Sequence, residues 1–128
     1  MNATLSLIGR LGLAILFIIA GWGKISGYDG TQQYMEAMGV PGALLPLTIL
    51  LELGGGLAIA AGLYTRWVAL ALALFSFATA LIFHADFGDA MQATSFWKNV
   101  AIAGGFLMLA VQGAGAWSLD GLRHRAHA

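Results

Sequence analysis

Four long apolar runs without a polar face constrain this chain more than any other feature of it. They cover residues of about 5–22, 44–64, 67–83 and 98–114. At a helical rise of about 1.5 Å per residue such runs reach about 25–30 Å, close to a hydrocarbon core of ~30 Å. In lipid every backbone N–H and C=O must be satisfied inside the segment, which a helix does unaided. A water-soluble bundle would need polar outward faces. With 9% charged residues, 59% hydrophobic residues and a mean hydropathy of +0.81, the chain cannot supply them. The expected fold is all-α, an integral membrane four-helix bundle with antiparallel spans and a single membrane domain over residues 1–128. The first run has no basic segment ahead of it and three more runs follow, so it reads as a retained helix, not a cleaved signal.

Composition narrows the chemistry. Six Lys+Arg balance six Asp+Glu, which excludes a basic nucleic-acid binder. Cysteine is absent, which excludes disulfides, thiolate metal sites, iron–sulfur clusters and thiol redox chemistry within the chain. His124 and His127 stand in the tail, so no pair of intramembrane histidines is available for a b-type haem.

Charge and tryptophan placement suggest the topology. Four spans put both termini on one side, with Arg10, Arg66, Arg123 and Arg125; Lys24 and Lys98 fall on the other. Four bases against two favour cytoplasmic termini. Trp22, Trp67, Trp97 and Trp117 all fall at expected span ends, where indole rings favour the headgroup zone. A two-residue turn, Thr65 and Arg66, makes spans two and three antiparallel neighbours. The longer connection between spans one and two has room for a short amphipathic surface helix, with Asp29 and Gln32 spaced as a capping box and Tyr34, Met35 and Met38 grouped for one face. Pro41 and Pro46 suit a loop and the first turn of span two.

Arg10 and Glu52 are the ionisable residues expected inside the spans. An intramembrane charge costs about 2.5–3.5 kcal/mol even on a lenient scale, so each needs a partner or a function. They could pair with each other and set helix register, or form a ligand or proton-handling site, and the two roles can coexist. Glycine is dense around Glu52: Gly55 and Gly56 fall near its helical direction, Gly54 and Gly62 on the opposite stripe, while Gly104 and Gly105 sit in span four. Small residues of this kind let helices approach closely, and beside Glu52 they could also leave an opening for a planar ligand. Ser76 and Thr79 are expected to bond carbonyls of their own helix. His84, with Asp86 and Asp89, gives H-x-D-x-x-D near Lys98 and Asn99. Helix caps and turns account for the aspartates better than a metal does, and no metal site is expected.

Several segments together resemble one family. RLGLAILFIIAGWGK (residues 10–24), ELGGGLAIAAGLYTR (52–66), FHADF (83–87), FWKNVAIAGG (96–105) and GAGAWSLD (113–120) are similar, in order, to the DoxX family of small four-helix bacterial membrane proteins. The chain departs from the family's pattern at Ala114, where members often carry proline, and at Ala85, where an aromatic commonly follows the histidine. The resemblance implies a bacterial inner-membrane protein. It places Arg10, Lys24, Glu52, His84, Lys98 and Asn99 at the family's recurrent polar positions. Some relatives are described as subunits of quinone-linked oxidising systems or as membrane partners of redox-defence proteins.

Three functions remain open on this reading. The first is an accessory or anchoring subunit of a quinone-linked or redox-defence system, with a quinone as candidate ligand, no covalent cofactor, and an oxidoreductase partner in place of independent enzyme activity. The second is a proton-coupled small-solute transporter using Glu52, which four short spans would support only as an oligomer. The third is a membrane scaffold without chemistry.

Overall fold

The computed structural model describes residues 2–126; His127 of the tail lies outside them. Six helices follow one another: α1 (Ala3–Ser26), α2 (Tyr28–Ala37), α3 (Gly42–Ala61), α4 (Thr65–Phe83), α5 (Ala90–Gln112) and α6 (Leu119–Ala126). Helices α1, α3, α4 and α5 are long and apolar enough to cross a bilayer. Among the described residues there is no strand. In the most apolar window of each span only 17–28% of residues are buried inside the protein. The remaining leucines, isoleucines and tryptophans point outward, which is stable only where the surroundings are themselves apolar.

Local chemistry sets the helix ends. Asn2 opens α1 by accepting the N–H groups of Thr4 at 2.9 Å and Leu5 at 3.2 Å. Asp89 does the same for α5, accepting from Met91 at 2.9 Å and Gln92 at 3.3 Å. This helix therefore begins at Ala90, well ahead of the apolar run it contains. Helix α3 carries Pro46 in its first turns, tightens to a 3₁₀ turn at Gly42–Leu44 and widens to a π turn at Leu50–Gly54. It ends where Gly62 turns left-handed (φ +71°) and the Leu63 N–H reaches Ala58 O at 2.8 Å.

Two sequence expectations need correcting here. The reversal between spans two and three uses residues 62–64, while Thr65 and Arg66 already belong to α4. The capping box at Asp29 and Gln32 does not form. Helix α1 runs on to Ser26, so α2 starts directly after Gly27, without a side-chain cap, and Asp29 lies inside its first turn. Gln32 instead donates to Gly42 O at 3.3 Å, tying the surface helix to the start of α3.

Helix α1 packs chiefly on α3, and α4 on α5. Phe17 of α1 bridges the two pairs, meeting Phe106 edge-on at 5.4 Å and Phe75 at 6.3 Å. Leu72, Ile59 and Phe106 are fully buried around it. Where α1 and α3 cross, a Cβ on Gly56 would stand 3.0 Å from Ile18 N and 3.1 Å from Ala14 O. One on Gly21 would stand 2.9 Å from Leu53 N. Absent side chains at these two positions allow backbone-to-backbone contact.

The other glycines are not alike. Gly55 faces Leu72 of α4 and Gly105 faces Leu13 of α1, each at 3.3 Å from an added Cβ, and Gly62 abuts Ser118. Gly104 meets nothing within 4 Å, and Gly54 meets only Leu50 of its own helix at 3.7 Å. Both had been expected at close helix contacts. Both lie on exposed faces.

Candidate functional site

The paired charges are not the expected ones. Arg10 lies near the start of α1 and Lys24 in its last turn, fourteen residues or about 21 Å apart on helical rise. Glu52 sits level with Lys24, and their charged groups are 2.7 Å apart. The Glu52 side chain is 5% exposed and that of Lys24 28%, so the carboxylate is held inside while the ammonium is partly accessible. The π turn at Leu50–Gly54 contains Glu52 and sets the direction of its side chain.

Arg10, 3% exposed, binds carbonyls at the opposite end. Its guanidinium donates to Ala114 O at 2.6 Å, Trp117 O at 2.9 Å and Ala60 O at 3.3 Å. These acceptors lie at the C-terminal end of α3 and just past that of α5, where helix dipoles are negative and carbonyls lack helical partners. The planar fork of donors suits this gathering of carbonyls. Arg10 is thus a clasp between helix ends, and the expected Arg10–Glu52 contact does not exist.

Asp120, one residue into α6, completes the same end. It accepts the N–H groups of Tyr64 and Thr65 at 2.8 Å each, capping α4, and its own N–H donates to Gly62 O at 2.8 Å. Burial by itself raises the Asp120 carboxyl above its usual range. The hydrogen bonds from Thr65 and Tyr64, with Arg123 nearby, outweigh that and leave it lowered. Tyr64 is held at a left-handed φ of +49°, with Arg123 stacked 4.9 Å from its ring centroid.

Around Lys24 and Glu52 the four spans and α2 enclose an open cavity of about 400 Å³. One wall carries Lys24 and Glu52, from α1 and α3. The other carries Ser76 and Thr79 of α4 and Asn99 of α5. His84, at the C-terminal end of α4, and Lys98, two turns into α5, line it as well. Between the polar walls the lining is apolar and aromatic, including Phe17, Phe75, Met35 and Ile102. Tyr34 of α2 stacks on Phe83 at 5.4 Å and also borders the cavity.

The wall of α4 and α5 is partly self-satisfied. Asn99 donates to Thr79 Oγ1 at 3.1 Å, and Thr79 donates to Ser76 O at 3.0 Å. Ser76 departs from expectation. Its hydroxyl does not bond back to its own helix, has no hydrogen-bond partner, and is 2% exposed at the cavity lining. A buried hydroxyl left without a partner costs free energy, of order 1–3 kcal/mol, that a ligand oxygen would recover. No sequence signal marked it, because a serine in a membrane helix ordinarily bonds a preceding carbonyl.

Of the six polar residues singled out from sequence, Lys24, Glu52, His84, Lys98 and Asn99 meet at this cavity and Arg10 does not. Asp86 and Asp89 do not line it. Asp86 accepts from Gly88 N at 3.2 Å in the loop, and Asp89 caps α5. Among the described residues no three His, Asp or Glu side chains converge as metal ligands would.

The chain is 57% identical to "Inner membrane protein YqjF" of Escherichia coli (strain K12) over 93% of its own length and 92% of that protein. It is 41% identical to "Inner membrane protein YphA" of the same organism, over 91% and 88%. Against "Putative oxidoreductase CatD" of Bacillus subtilis (strain 168) it is 33% identical over 54% of its length and 52% of that protein. No solved structure matches it significantly. The DoxX family model matches residues 5–85, which include Arg10, Lys24, Glu52, Ser76 and His84, and the chain belongs to the DoxX family of membrane proteins.

Proposed function

We propose that the protein is an inner-membrane subunit of a redox system that binds a quinone ring in the cavity between its spans and docks an oxidoreductase partner. The observation that carries this reading is a largely apolar, aromatic-lined cavity to which α1 and α3 contribute Lys24 and Glu52 and α4 and α5 contribute Thr79, Asn99 and Ser76, a buried residue whose hydroxyl lacks a partner. A quinone is a flat apolar ring with oxygens on opposite edges, so it matches both the lining and the polar walls.

The residues present fit such a ring. Ser76 and the Asn99 amide are placed to donate to an oxygen on one edge, and the Lys24 ammonium to one on the other. Glu52 holds Lys24 in position and can carry a proton at its carboxylate. Phe17 and Phe75 exclude water from the ring faces. A bound quinone would supply two-electron, two-proton redox chemistry. With no cysteine in the chain, the electrons come from a partner. The names of the relatives support the setting: two are called inner membrane proteins and the more distant CatD carries an oxidoreductase name. The distribution of basic residues supports cytoplasmic termini, which puts the cavity in the outer half of the membrane.

Titration of purified protein with a short-chain ubiquinone tests the reading. Saturable binding that weakens about tenfold (~1.4 kcal/mol) in Ser76→Ala and in Lys24→Met is the expected outcome. Binding that is absent, or equal in wild type and both variants, removes the proposed site.

A further inference from the structure

The charges around the cavity do not balance. Glu52 is the single carboxylate among the lining residues, and Lys24 neutralises it at 2.7 Å. Lys98, an exposed residue, borders the same cavity and, among the described residues, has no carboxylate within ion-pair distance. The loop acids near it in sequence are turned to backbone: Asp86 accepts from Gly88 at 3.2 Å, and Asp89 from Met91 at 2.9 Å. His84 adds a second nitrogen base on that side. Besides the neutral pair, the polar groups lining the cavity are therefore an ammonium, an imidazole, an amide and the hydroxyls of Thr31, Tyr34, Thr48, Ser76 and Thr79. Beside low-dielectric walls an unmatched ammonium attracts an anion more strongly than it would in water.

The Ser76 hydroxyl, buried in this lining and without a hydrogen-bond partner, is a second group there that a ligand oxygen would satisfy. Taken together, a flat apolar slot, an unsatisfied hydroxyl and one surplus positive charge describe a ring that bears both a neutral oxygen and a negative one. We propose that the cavity selects the ionised form of an acidic ring compound, a ring whose hydroxyl has lost its proton, over neutral rings of the same size, with Lys98 as the counter-charge. This rests on the reading of the cavity as a ring site and narrows its ligand class.

Equilibrium dialysis of purified protein in phospholipid-free non-ionic detergent tests it, using lawsone, a naphthoquinone whose ring hydroxyl is ionised at neutral pH, and its methyl ether, which has the same ring and no acidic proton. Lawsone binds about tenfold more tightly than the ether in the wild type. Lys98→Gln cuts that ratio about tenfold, while Lys98→Arg, which keeps the charge, retains it. Equal binding of the two probes, or a ratio that survives Lys98→Gln, overturns the anion preference and leaves the ring site standing. Failure of both probes to bind protein that keeps its helical circular dichroism overturns the ring site and this inference together.

Discussion

The Lys24 ammonium lies 2.7 Å from Glu52 Oε1, so the acid in the middle of the second span is matched by a base from the last turn of the first. The two ends of this pair are unequally placed, since Glu52 is almost fully enclosed and Lys24 is partly exposed. Removing the base strands a buried carboxylate, whereas removing the acid leaves an ammonium that can turn toward headgroups.

Lys24→Met therefore destabilises the protein by about 3 kcal/mol, the lower end of what breaking a buried pair costs. Glu52→Gln costs less, about 1 kcal/mol, and the double variant is more stable than Lys24→Met alone. Thermal unfolding in one detergent compares the three. If Glu52→Gln proves the worse single variant, the inferred asymmetry is wrong.

Arg10 ties together the ends of two spans through Ala60, Ala114 and Trp117. Hydrogen bonds to a charged group contribute about 1.5–3 kcal/mol each and do not add fully. Arg10→Ala should cost about 3 kcal/mol. Arg10→Lys should recover less than half of that, because an ammonium lacks the fork that spans three carbonyls. Exchanging Arg10 and Glu52 should give no rescue. Unfolding midpoints are the readout, and rescue by the exchange would contradict the separation of the two residues.

Asp120 links the tail helix to the start of α4, and its carboxyl is lowered by the hydrogen bonds it accepts. A carboxyl lowered in the folded state contributes stability above its unfolded pKa of about 3.9, and that contribution fades as pH falls through the folded value. Asp120→Asn keeps one acceptor oxygen where the carboxylate uses two, and should be less stable than wild type by about 1 kcal/mol at pH 7, the worth of one hydrogen bond. The gap should begin to narrow as pH falls below about 4 and should close only once pH has passed the lowered folded value, where the folded wild-type carboxyl is protonated. Unfolding midpoints from pH 7 down to pH 3 measure this, and a gap that stays constant across the range argues against the cap.

Gly56 and Gly104 make a matched pair of tests. An added methyl at Gly56 runs into the backbone of α1 at 3.0–3.1 Å, while at Gly104 it meets nothing within 4 Å. Gly56→Ala should cost about 1–3 kcal/mol as the helices are forced apart. Gly104→Ala should be neutral, or stabilising by up to about 1 kcal/mol through helix propensity. Comparable losses in both would mean that span four packs against something through the face bearing Gly104.

Much of the candidate site was legible as a set of residues but not as a set of contacts. Lys24, Glu52, His84, Lys98 and Asn99 stand out as polar groups in or beside apolar runs, and they meet at one cavity. Arg10 stood out for the same reason and serves a different end of the bundle. Hydropathy records that a charge is out of place; it carries no information on which charge answers it. The π turn at Leu50–Gly54 has no hydropathy signature, yet it holds Glu52 and sets the face its side chain presents. Ser76 could not be singled out at all, since whether a hydroxyl bonds its own helix depends on a rotamer that neighbouring spans select.

The sequence by itself determined the medium and the architecture. Four stretches too apolar for water, and long enough for a bilayer, leave the backbone no alternative to spanning helices. That requirement is local, because each segment must satisfy its own hydrogen bonds. Only the tertiary structure decided who pairs with whom: Lys24 with Glu52, Arg10 with three carbonyls, Asp120 with the start of α4, Ser76 with nothing. These outcomes depend on the rotation and depth of each helix against its neighbours. Backbone contact at Gly21 and Gly56 sets that packing between α1 and α3, and no single segment contains it.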